Sequence, residues 1–176
     1  MKLNERAWAG QIISWIKQSI NDSTTIFQDA TNDEGLKVAS GRTKFPDVLL
    51  FTDKISGVVF NGWELKFPDT PADDSEMLEN ALEKAERLKS NSFVTWNGTE
   101  AIIWKINDDN YSLSSLEKLK VYPKEKDITK RNDLADRNNY NKHEAKLQKR
   151  LNEILHDLGQ LYENGELKNA INISSN

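Results

Sequence analysis

The chain contains no cysteine. That excludes a disulfide framework and any thiolate metal centre, and it fits a reducing compartment. Histidine is scarce as well. His143 and His156 stand apart in a polar, helix-patterned stretch, which argues against a zinc pair and against a Ser-His-Asp arrangement. The glycines form no phosphate-cradling loop. No run approaches the roughly 20 apolar residues of a membrane span, and the opening "MKLNERAWAGQ" lacks the apolar core of a signal peptide. The expectation is a cytoplasmic protein with no membrane association. Its 176 residues suit one compact domain with an appendage, long enough to bury a core without staples.

Charge is plentiful but uneven. The net charge of −4 argues mildly against a polyanion binder taken as a whole. Residues 67–86 hold seven acids against one base, Lys84, whereas residues 120–150 hold ten bases against five acids. A basic segment of that kind can attract a polyanion while the global charge stays negative, or it can be a solvated helix face.

Hydrophobic spacing sketches the elements. Trp8, Ile12, Trp15, Ile16 and Ile20 form one stripe of a helix over residues 4–20. Within the polar stretch 21–44, "GLKVAS" reads as a short strand. "DVLLF" and "GVVFNGWELKF" read as two strands of a hairpin, with "TDKISG" as the turn. Strand alternation then puts Val58, Phe60, Gly62, Glu64 and Lys66 on one face and Val59, Asn61, Trp63, Leu65 and Phe67 on the other. Two prolines and a run of acids lead into a helix from about Asp74 to Lys89. "SFVTW" and "TEAIIWKI" form a second hairpin around a two-residue Asn97-Gly98 turn, whose exposed tip would make Trp96 a possible base contact, in competition with core packing. A last amphipathic helix spans about Asn139 to Tyr162. The expected fold is α/β with a mixed central sheet, a core over residues 1–119, and a basic connector with an amphipathic C-terminal helix over 120–176.

The chemistry concentrates between residues 46 and 66. Glu64 and Lys66 lie two apart on a strand whose remaining residues are largely apolar, and buried charges are costly unless paired or metal-bound. Asp47 opens the neighbouring strand, so the hairpin brings its carboxylate near Glu64. Two carboxylates held close commonly share a hard cation with oxygen ligands, such as Mg2+. Asp47 and Glu64 are the expected ligands, the Leu65 backbone carbonyl a third, and Lys66 the group that orients a water or meets developing negative charge. The bland alternative is an interaction protein in which Glu64 and Lys66 form a structural ion pair.

Pro46-Asp47, sixteen intervening residues, then Glu64-Leu65-Lys66 resembles the PD-(D/E)xK nuclease superfamily. The order helix, motif-bearing strands, helix, strand is similar too, over roughly residues 4–106. The resemblance implies a restriction-endonuclease-like core and Mg2+-dependent cleavage of double-stranded DNA by a restriction-type or repair-type enzyme. It also implies a first-helix acid in the site, a position that Glu5 matches. "GRTKFPD" looks like the N-terminal nuclease domains of restriction–modification enzymes of types I and IIG, which implies a fused or associated methyltransferase or helicase domain, and often a homodimer to cut both strands. Many of those domains carry a glutamine in the helix after the motif. This helix has none, leaving Asn80, Glu83 or Lys84 to take its place. Arg42, Lys44 and Lys84 are the candidate DNA-phosphate contacts. A nuclease-fold binding module that does not cut by itself is the alternative function.

Overall fold

A computed structural model describes residues 2–22, 25–32 and 45–170. Among the described residues, six strands form one sheet in the order of the chain: β1 (Asp29–Thr31), β2 (Val48–Asp53), β3 (Val58–Leu65), β4 (Ser92–Trp96), β5 (Ala101–Ile106) and β6 (Leu116–Val121). All neighbouring pairs are antiparallel except β3 and β4, which run parallel. A parallel pair needs a crossover, here α2 (Ser75–Leu88). The fold is therefore α/β with a mixed, open sheet flanked by helices.

The helices lie where their stripes require. On α1 (Glu5–Asp22), Trp8, Ile12, Trp15 and Ile16 are buried against one face of the sheet. Helix α4 (Arg137–Glu163), which follows the short α3 (Asn132–Ala135), adds Leu147, Leu151, Ile154, Leu155 and Leu158 to the same cluster. The C-terminal helix thus packs into the core that α1 and β3 share. Helix α2 covers the other face. Asp74 caps it by accepting a hydrogen bond from Met77 N (3.1 Å), and Lys89 ends it in the left-handed region (φ 59°). Its Leu78, Ala81, Leu82 and Ala85 pack on Phe93, Ile102, Trp104 and Ile106. Among the described residues, no helix is long and apolar enough to cross a membrane.

Three expectations need correction. Strict alternation along β3 fails: Leu50 pairs with Asn61 but Phe51 with Val59, so Phe60 is an extra residue in the ladder. The bulge turns Phe60 to the face of Trp63 and Leu65, while Val59 joins Leu49, Phe51 and Leu88 under α2. The second hairpin turns one residue later than expected: Asn97 N donates to Glu100 O (3.0 Å), which leaves Gly98 and Thr99 at the tip, and Asn97 Oδ1 accepts from both Thr99 N (3.0 Å) and Glu100 N as a side-chain cap. Trp96 is fully buried against Trp8, with ring centroids 5.4 Å apart, so it is a core residue and does not face a base. Strands β1 and β6 were not expected. "GLKVAS" lies outside the described residues.

Candidate active site

Strand β2 begins where β3 ends, so the residue before β2 and the last residues of β3 meet at one end of the sheet. Pro46 lies directly over Gly62: a Cβ at that position would come within 2.1 Å of Pro46 Cγ. Only glycine permits this approach, and it delivers the next residue, Asp47, to the end of β3. Asp47 Oδ2 accepts from Leu65 N (2.8 Å), and Asp47 N donates to Glu64 Oε2 (3.4 Å). The two acids are therefore adjacent, as expected from the hairpin. The N–H and C=O of one strand residue point to the same side, so the Leu65 carbonyl faces the same edge as its N–H.

Glu64 is 4% exposed and its Oε1 is bound by the Lys84 ammonium of α2. Burial, then the nearby Asp47 charge, pushes its pKa up to about 7 against the opposing pull of Lys84. Lys84 was expected at a DNA phosphate. Its side chain is only 16% exposed and is engaged with Glu64. The sequence carried a signal for this: Lys84 interrupts the apolar face of α2 formed by Ala81, Ala85 and Leu88, so it points at the sheet.

Lys66 is not Glu64's partner in an ion pair. Its backbone N–H donates to Trp96 O (3.1 Å), and the residue lines an open cleft of about 270 Å3 together with Asp69, Thr70, Asp74, Met77 and Asn80. Glu5 reaches the same end of the sheet, where its Oε2 accepts from Phe67 N (3.1 Å). Asp69, the second Pro-Asp of the chain, is held at this rim by Arg131, with Nη1 at 3.3 and 3.2 Å from the two carboxylate oxygens and the guanidinium 4.8 Å from the Phe67 ring centroid. Sequence reasoning missed Arg131 because its partners are about sixty residues away. Arg42 and Lys44 lie outside the described residues.

The donor set discriminates between metals. Among the described residues, no three His, Cys, Asp or Glu side chains gather closely enough to hold an ion, so Glu5 does not complete a three-acid cluster with Asp47 and Glu64. A zinc site needs three or four such ligands. Mg2+ is commonly held by one or two carboxylates and keeps several waters, and the Asp47–Glu64 pair with the Leu65 carbonyl fits that requirement. No protein-family model, curated protein or solved structure matches the chain.

Proposed function

We propose that this chain is a magnesium-dependent endonuclease domain with a restriction-endonuclease-like fold, hydrolysing phosphodiester bonds of double-stranded DNA within a restriction–modification system. The observation that carries the reading is the meeting of Asp47 and Glu64 at the β2–β3 sheet end, with Lys66 two residues further on beside an open cleft. Asp47, Glu64 and the Leu65 carbonyl are the residues that would hold Mg2+. When bound there, the ion would lower the pKa of a water and offset charge on the scissile phosphate. Lys66 orients that water or meets the developing negative charge from the cleft side. Glu5 stays at the β3 end, where it fixes the backbone beyond Lys66 by accepting from Phe67 N. The helix–meander–crossover helix–parallel strand order supports the same reading, and a homodimer or a methyltransferase or helicase partner belongs to it as well.

Supercoiled-plasmid nicking with Mg2+, with and without chelator, is the test. Chelator-sensitive nicking that is lost in Asp47→Ala and Lys66→Ala is the expected result. Undiminished nicking by either variant overturns the assignment.

One observation favours a second reading. Lys84 already neutralises Glu64, as it would in a nuclease-fold module that binds DNA without cutting it. DNA binding with no nicking under any divalent cation would select that reading.

A further inference from the structure

Glu64 is divided between two neighbours. Oε2 faces the backbone of Asp47, and Oε1 is taken by Lys84. The lysine reaches it through a recess lined by Pro46, Gly62, Ala81, Ala85, Leu88 and Phe93, with only about 10 Å3 of open space. That is at the lower limit for one water, so the ammonium has little solvent to bond and Glu64 is its partner. A desolvated ion pair of this kind adds little to stability compared with well-packed apolar residues, so its presence on an otherwise apolar helix face asks for another reason. The lysine stem is long and flexible, and the side chain retains 16% exposure, so the ammonium is near an exit.

We propose that Lys84 is a displaceable counter-ion that holds Glu64 until a divalent cation takes the carboxylate, and that it is then released toward the anionic substrate. The inference rests on the magnesium reading of Asp47 and Glu64. A dication on both carboxylates would sit within a few ångströms of Lys84, and like charges at that distance in a poorly solvated site repel strongly. Glu64 therefore serves one cation fully at a time. In the empty site Lys84 limits the repulsion between Glu64 and Asp47. In the loaded site its ammonium would leave Glu64 for the solvent-exposed side of the recess, where an anionic substrate can meet it. The exchange breaks no covalent bond: the ammonium–carboxylate hydrogen bond and metal-bound water are given up, and carboxylate–metal and ammonium–water contacts replace them.

The experiment is calorimetric titration of Mg2+ and Mn2+ into the protein without DNA, for the natural chain, Lys84→Met and Glu64→Gln. Removing the competing ammonium should tighten divalent binding about tenfold in Lys84→Met, and Glu64→Gln should abolish it. Unchanged or weaker binding by Lys84→Met overturns the displacement. If neither the natural chain nor Lys84→Met binds a divalent cation, the magnesium reading fails along with it, so the two failures are distinguishable. A second measurement needs no folded Lys84→Met protein. In the natural chain, the lysine ammonium NMR signal that is missing from Lys84→Arg should shift in step with Mg2+ occupancy. A signal that stays unmoved while Mg2+ binds overturns the proposal.

Discussion

Pro46 sits over Gly62 with no room for a single added carbon: a Cβ on Gly62 would lie 2.1 and 2.5 Å from two ring atoms of the proline. The proline ring cannot rotate away as a flexible side chain can. Gly62→Ala must therefore push Pro46, and Asp47 with it, off the end of β3. The expected cost is about 1–3 kcal/mol of stability, typical of overpacking a filled site, together with loss of nicking. Thermal denaturation and the plasmid assay check both, and a variant with the natural melting temperature and activity would contradict the role given to this contact.

Glu64 makes stability depend on pH. Its pKa is raised in the folded chain from 4.5 to about 7, so the proton is bound more tightly in the folded state. The associated stability is fully present below pH 4.5 and is lost as pH rises through about 7. The loss is on the order of 3 kcal/mol, because each tenfold change in proton affinity is worth about 1.4 kcal/mol. Metal-free denaturant titrations of the natural chain and Glu64→Gln should show the natural chain losing ground to the variant across that window. Parallel curves would show that Glu64 is not held in its raised state.

Magnesium should raise the melting temperature of the natural chain, because a ligand that binds only the folded state stabilises it in proportion to RT ln(1 + [L]/Kd). Asp47→Ala should remove the shift, since it deletes one of the two carboxylates at the sheet end. An equal shift in both proteins would place the ion elsewhere.

Lys66→Met should leave the fold intact while slowing nicking by about a hundredfold or more, the usual loss for a group that stabilises developing charge. Its backbone bond to Trp96 O is independent of the side chain, so the β3–β4 pairing survives. Single-turnover nicking and a melting curve separate the two effects. A small rate change would move the catalytic cation to another residue.

Arg131→Ala should cost about 1 kcal/mol or less, because its pair with Asp69 is roughly half-exposed on both sides and is screened by solvent. Stacking on Phe67 contributes within that figure. Equilibrium denaturation measures it, and a much larger loss would mean that Arg131 organises the β3 end as well as bracing it.

The amphipathic stripes of α1, α2 and α4, the two hairpins and the adjacency of Asp47 and Glu64 were all legible in the sequence. Each depends on local spacing: 3.6 residues per turn, alternation along a strand, and a short turn that returns one strand to the next. Where burial overrides spacing, legibility ends. Strand β1 is three residues long and β6 reads Leu-Glu-Lys-Leu-Lys-Val, a largely exposed edge whose charges mask its strand character. The Phe60 bulge depends on which face needed another large side chain in its core. Helix spacing turns Lys84 toward the sheet, but which acid it meets there was decided by tertiary structure. By sequence Glu64 lies two residues from Lys66, but the ladder draws Lys66's backbone to Trp96 while α2, laid across the sheet by the crossover, brings Lys84 from twenty residues away into a recess where Glu64 is the charge to meet. Local spacing thus set which residues could share the sheet end, and packing of α2 on β3 decided which lysine neutralises the acid there.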